Sequence, residues 1–204
     1  MTGQTTAVMT ARDPDVGLMV RVRGDDRSAF AELVDKYQHR LLAVLHPIVG
    51  RREEAEDLAQ EVFLRVYRTR HKYTPTARFA TWLFTIANNL ALNALRDRKR
   101  KPAVRLDADP SASGSQPGFQ PTAGTAPPAA GLDHKELAET VQRALDTLND
   151  RQRLAVVLNK FEDMGYADIA AVMGLTVPAV KSLLCRAREQ LRAALTPYIE
   201  GDDA

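Results

Sequence analysis

The stretch from Phe79 to Lys101, FATWLFTIANNLALNALRDRKRK, gathers three kinds of side chain that matter to nucleic acid. The rings of Phe79, Trp82 and Phe84 offer faces on which unpaired bases can stack. The amides of Asn88, Asn89 and Asn93 offer donors and acceptors, and Arg96, Arg98, Lys99, Arg100 and Lys101 offer cations to phosphates. Stacking surfaces beside concentrated positive charge are what a single-stranded polynucleotide needs. The same letters also fit a helix packed through its aromatics with a solvated basic end. At helical spacing Phe79, Leu83, Ile86 and Leu90 form one stripe, which the asparagines and the basic residues largely avoid.

A second constellation lies between Tyr166 and Leu191. Two helices that cross around a tight turn need a small residue at the crossing, a glycine where the chain takes a positive φ, and apolar anchors on both sides. Ile169, Ala170, Met173, Gly174, Leu175, Val180 and Leu183 supply these in register. Thr176 is placed to cap the second helix, and Pro178 falls in its first turn, where a missing N–H costs little. With Val180, Leu184, Ala187 and Leu191 facing inward, Lys181, Ser182, Cys185 and Arg186 face out. A recognition helix presents such residues to the major groove. Arg186 suits a guanine edge or a phosphate, and Lys181 a phosphate.

Both constellations must be held by helices, because no segment alternates convincingly as a strand. Ser28 is placed to cap a helix carrying Phe30, Leu33, Val34, Tyr37, Leu41 and Leu45, with Pro47 and Gly50 punctuating its end. A second helix begins near Arg51 or Arg52, with Ala55, Leu58, Val62, Phe63 and Val66 on its apolar face. Acids crowd its first turns and Arg65, Arg68 and Arg70 its last, as the helix dipole favours. Thr74-Pro75-Thr76 breaks the pattern before the Trp82 helix. Farther on, Leu137, Val141, Leu145 and Leu148 mark one helix, and Leu154, Val157, Leu158 and Phe161 another. Between the halves, residues 102–131 hold six of the eleven prolines and few large apolar groups. Such a segment buries too little surface to offset its conformational entropy and reads as a flexible tether. The expected fold is all-α: two small helical domains joined by a flexible Pro/Gly/Ser/Ala-rich linker, the C-terminal one a helix-turn-helix domain. The boundaries read as a disordered tail over 1–14, a first domain over 15–101, the linker over 102–132, a second domain over 133–199 and a tail over 200–204.

The net charge of +2 hides an asymmetry. Between Phe63 and Leu106 stand eleven Lys or Arg residues and one acid, Asp97, which points to a localised polyanion site. One cysteine, Cys185, excludes an intrachain disulfide framework. The four histidines lack metal-ligand spacing, so no metal or cofactor is expected. No apolar run reaches the length of a membrane span, and the first residues lack a signal-peptide core. The expectation is a cytoplasmic protein with no membrane insertion.

In order along the chain, AEDLAQEVFLRVYR, ATWLFTIANNLALNALRDRKR, a linker and MGYADIAAVMGLTVPAVKSLLCRAREQLR resemble a sigma factor of the extracytoplasmic-function group of the sigma-70 family. The resemblance implies an alternative, stress- or signal-responsive sigma factor that binds core RNA polymerase, reads the −10 and −35 promoter elements and helps to melt DNA, without catalysis. It places Asp57, Leu58, Gln60, Glu61 and Leu64 on the β′ clamp helices. It places Lys72, Arg78, Trp82, Asn89, Asn93, Arg96, Arg98, Lys99 and Arg100 near the −10 DNA, with the loop from about Arg70 to Arg78 capturing a flipped-out base. Trp82 stands between core packing and base stacking, with packing favoured. The −35 duplex falls to Lys181, Ser182, Cys185 and Arg186, and the β flap to other parts of the second domain. Leu183 stands where many relatives carry Arg, which favours packing there. Relatives are often held inactive by an anti-sigma partner. The competing reading of the residues is an ordinary regulator that binds duplex DNA alone, usually as a dimer. The two domains of the free chain could be splayed, or packed so that their DNA-binding faces are hidden.

Overall fold

The computed structural model describes residues 13–100 and 130–199. The linker expectation over 102–129, the tails over 1–12 and 200–204, and Lys101 lie outside the described residues. Those residues form eight α-helices and no strand: α1 Pro14–Arg23, α2 Arg27–Val49, α3 Arg52–Thr69, α4 Phe79–Arg100, α5 Ala130–Asp146, α6 Asp150–Lys160, α7 Tyr166–Met173 and α8 Val177–Ile199. A single 3-10 turn, Arg70–Lys72, follows α3. Helix α5 therefore begins three residues before the expected domain boundary, in a stretch past the last proline of the linker.

Helix α1 is an element the sequence pattern did not announce. The Asp13 carboxylate accepts the Asp15 N–H at 3.0 Å, Pro14 takes the first position, and Val16, Met19 and Val22 are buried. Ten residues carry too few repeats for periodicity to stand out. Helix α2 corrects two further expectations. Its cap is Asp26 and not Ser28: one carboxylate oxygen accepts the N–H of Ser28 at 3.0 Å and of Ala29 at 3.1 Å. The Ser28 hydroxyl is itself a donor to Asp26, at 2.7 Å. These bonds and Arg21 hold the Asp26 carboxyl well below the usual carboxylate range. Pro47 lies inside α2 instead of ending it. Only the last turn follows it, so its missing N–H breaks little of the ladder. The helix stops at Gly50, whose φ of 78° closes the last turn by an N–H to His46 O at 2.9 Å.

Helix α2 packs on α1, α3 and α4. The first core is built from Leu33, Tyr37, Leu41, Leu45, Val62, Phe79, Leu83 and Phe84, none more than 1% exposed. Tyr37 donates its hydroxyl to Asp15 at 2.6 Å, and Lys36 Nζ reaches the other Asp15 oxygen at 2.6 Å. Burial, and then the bond to Asp15, pushes the Tyr37 phenol above its ordinary range. Asp15→Ala leaves that hydroxyl without its acceptor, and urea unfolding is expected to show a loss of about 1–3 kcal/mol. Tyr37→Phe in the same background removes the orphaned group and should recover part of it; simple additivity of the two changes would contradict the coupling.

In the second core α6 packs on α8 and α7, and α5 packs on α8. Asn149 caps α6 reciprocally with Gln152, at 3.0 and 3.1 Å. Leu154, Val157, Leu158, Ile169, Val180 and Leu184 are buried. Three predicted stripe residues are not: Leu137 is 60%, Val141 36% and Phe161 52% exposed. Phe161 lies just past the end of α6, where the helical stripe no longer applies.

The two cores touch. Helix α7 lies along α4, and α6 along α2. Arg40 on α2 holds Glu162, in the turn after α6, with Nε at 2.8 Å. Thr81 Oγ1 donates to Asp168 at 3.1 Å, Asn88 Nδ2 to the Val172 carbonyl at 3.1 Å, and Arg153 Nη1 to the Pro47 carbonyl at 2.7 Å. No single helix among the described residues is long and apolar enough to cross a membrane.

Candidate nucleic-acid interface

Helix α4 divides its side chains sharply. Phe79 and Phe84 are buried in the first core, so two of the three rings of the imagined stacking platform are packing groups. Trp82 is half-buried, edge-on to Tyr73 at 4.8 Å and tilted against Phe79 at 5.9 Å. Asn88 faces the second domain and is buried there, whereas Asn89 and Asn93 are exposed. Arg96 and Arg100 are exposed, and Arg96 reaches back to Asn93 at 3.5 Å. Arg98 turns onto the end of α2, donating to the Val49 carbonyl at 3.0 Å, with Glu54 3.9 Å away. The Lys99 side chain lies outside the described residues.

Lys72 and Arg78 are exposed at either end of the loop that enters α4. Arg78 stands 4.0 Å from Asp168. Tyr73, between them, is a residue the sequence reading did not single out. It is 3% exposed, and its hydroxyl has no hydrogen-bond partner among the described residues. Burial raises its phenol above the usual range, which keeps the hydroxyl a neutral donor. A tyrosine two residues before a proline gives no local sign of such burial.

Helix α8 follows a left-handed Gly174, φ 63°, whose N–H and that of Leu175 close the end of α7. Thr176 Oγ1 accepts the Ala179 N–H at 3.4 Å, the cap the sequence predicted. Val180, Leu184 and Ala187 are buried and Leu191 half-buried, while Lys181, Ser182, Cys185 and Arg186 are all exposed on the opposite face. Cys185 Sγ lies 3.7 Å from the Glu189 carboxylate. Arg188 donates to the Tyr166 hydroxyl at 3.2 Å, which draws that phenol below its ordinary range. Leu183 is half-buried, in keeping with a packing role.

A third face lies on α3. Asp57, Gln60 and Leu64 are exposed, Leu64 by 48%, with Leu58 and Glu61 half-buried beside them. Arg65 pairs with Glu61 at 3.0 Å, one turn away. An exposed leucine inside a polar, acidic row makes a mixed polar and apolar surface. Among the described residues no group of His, Cys, Asp and Glu is arranged to hold a metal ion.

A helix-turn-helix with its outward face free, joined to a helical domain with exposed amides and cations, defines a DNA-binding transcription protein. The chain belongs to the sigma-70 family and is a sigma factor of the extracytoplasmic-function group, a transcription initiation factor acting in promoter-specific initiation. Residues 33–101 match Sigma-70 region 2, and residues 138–191 match Sigma-70, region 4. The chain is 35% identical over 193 residues to the RNA polymerase sigma-H factor of Pseudomonas aeruginosa, covering 94% of this chain and 98% of that one. It is 33% identical over 176 residues to the ECF RNA polymerase sigma factor SigW of Bacillus subtilis, covering 86% and 93%. Among solved structures it resembles CnrH in complex with the cytosolic domain of CnrY, at 25% identity and a TM-score of 0.62 over 91% of this chain and 99% of that one. The sigma factor RpoE of Bartonella quintana, solved with the anti-sigma factor NepR, shares the fold at a TM-score of 0.64 and 22% identity, over 82% and 96%.

Proposed function

We propose that this sigma factor divides its work among the three faces. The α3 row of Asp57, Leu58, Gln60, Glu61 and Leu64 docks on the clamp helices of the polymerase β′ subunit. The loop and α4 residues Lys72, Arg78, Asn89, Asn93, Arg96 and Arg100 engage the −10 region as it opens, with Trp82 supporting the loop from below. Lys181, Ser182, Cys185 and Arg186 read the −35 duplex from the major groove, and the rest of the second domain meets the β flap. The observation that carries the reading is the α8 pattern: four polar positions exposed together on one side while Val180, Leu184 and Ala187 are sealed on the other. Opening duplex costs a few kcal/mol per unstacked step, which cations and an extruded-base pocket offset. A regulatory protein that sequesters the chain, as the anti-sigma factor NepR accompanies the sigma factor RpoE, is the further partner of this reading.

The test is co-elution of the purified chain with bacterial core polymerase. Asp57→Lys with Glu61→Lys reverses the acidic row at one exposed and one half-buried position, both outside the core, where folding is little affected. Binding is expected to fall by at least tenfold, as rim charge reversals remove steering and add repulsion. Unchanged affinity would remove the docking face from α3. No binding by the folded wild-type chain would overturn the polymerase assignment itself.

A further inference from the structure

The contact between the two domains is built, not incidental. Glu162 is the carboxylate at its centre, with its side chain 2% exposed. Arg40 reaches it from the other domain with two nitrogens on one oxygen. The guanidinium also lies 4.5 Å over the Tyr37 ring and 5.9 Å from the Phe84 ring, both in its own domain. A buried carboxylate is tolerated only when paired, and its partner here lies 122 residues away in sequence. Around it, Asn88 is removed from solvent to bond the α7 backbone, and Thr81 and Arg78 both address Asp168.

This contact sets a limit on promoter engagement. The −10 and −35 elements lie about 25 base pairs apart, or about 85 Å at 3.4 Å per step. A compact chain of this length has a radius of gyration of about 17 Å. Domains in contact therefore cannot sit on both elements, although Asn89, Asn93, Lys181 and Arg186 all remain exposed. The faces are accessible, but too close together. Residues 101–129 allow a covalent span of up to ~100 Å once the domains part.

We propose that the Arg40–Glu162 pair is a latch that keeps the free chain closed and limits its loading onto polymerase and promoter, and that opening the latch is a step in activation. The closed state needs no second protein. The promoter consequence rests on the sigma assignment; the latch itself does not.

The experiment reads closure directly. Cys185 is exposed and is the chain's one cysteine, so Glu32→Cys on the exposed side of α2 completes a dye pair for energy transfer between the domains. High transfer is expected in the full chain with native Arg40 and Glu162. Arg40→Glu or Glu162→Arg alone sets like charges in the pocket and should lower the closed population about a hundredfold. The double exchange, Arg40→Glu with Glu162→Arg, should restore transfer. Low transfer before any reversal, or transfer unchanged by both reversals, would overturn the latch. Should a reversal unfold its domain by circular dichroism, Asp168→Lys faces Arg78 across the same contact: lowered transfer supports closure, and unchanged transfer counts against it. Unlabelled reversal variants should saturate core polymerase in a transcription assay at about tenfold lower concentration than wild type. Equal concentrations would overturn the inhibitory role. Transcription by no variant, wild type included, would instead defeat the sigma assignment while the transfer data still judge the latch.

Discussion

Lys181→Ala with Arg186→Ala is expected to erase the preference for an intact −35 element while core polymerase binding stays within about twofold of wild type. Both side chains are exposed on the outer face of α8, away from Val180, Leu184 and Ala187, so their loss should cost less than about 0.5 kcal/mol of folding stability. A bidentate arginine contact to a base is worth about 1–3 kcal/mol, and a lysine on phosphate adds salt-dependent affinity that is blind to sequence. Together the two changes should weaken engagement of the upstream duplex by about 2–4 kcal/mol, or about 30- to 1,000-fold. The measurement is transcription from paired promoters with intact and scrambled −35 elements. Their ratio should collapse toward one in the double variant, and the salt slope of binding should fall by about one. If polymerase binding is lost instead, α8 belongs to the docking surface and the division of labour is wrong.

The α8 face was readable in advance because everything that shapes it is local. Gly174 needs its positive φ, Ala170 must be small where α8 crosses, and Thr176 caps three residues before the N–H it binds. Each requirement acts within one or two turns, so spacing alone reveals it. Helical spacing likewise kept Asn89 and Asn93 off the apolar stripe of α4, whereas the α3 row was named only through the family resemblance. Spacing failed where a residue's fate depends on distant chain. Asn88 looks like its neighbour Asn89, yet one is buried under α7 and the other exposed. Arg40 and Glu162 were not singled out at all, since nothing near either in sequence shows that they meet. Phe79 and Phe84 were candidates for stacking on bases because aromatic rings serve cores and bases equally well. Burial, a tertiary property, decides between them. The choice of Asp26 over Ser28 was lost for a smaller reason: both are good caps, and two residues separate them.

Phe79→Ala is expected to destabilise the first domain by about 3–5 kcal/mol, against a typical total of about 5–15. The ring is 1% exposed and meets Tyr37 at 5.2 Å, Tyr73 at 6.5 Å and Trp82 at 5.9 Å. Its backbone N–H is held by Asp13 at 2.8 Å, which fixes where α4 begins. Truncation opens a cavity that these larger rings cannot collapse into without leaving their own contacts. Trp82 is the chain's one tryptophan, so its fluorescence in urea reports this domain, with circular dichroism as a check because the probe is adjacent. The midpoint should fall with the slope unchanged, whereas Leu137→Ala, at a 60% exposed position, should stay within about 0.5 kcal/mol of wild type. A functional loss should accompany the structural one. Tyr73 and Trp82 form the floor of the loop that carries Lys72 and Arg78, and both rest on Phe79. Opening of the −10 region should therefore suffer more from Phe79→Ala than from Lys72→Ala, at a temperature where both variants are folded. The reverse order would mean that the loop's cations act without the support of the core beneath them.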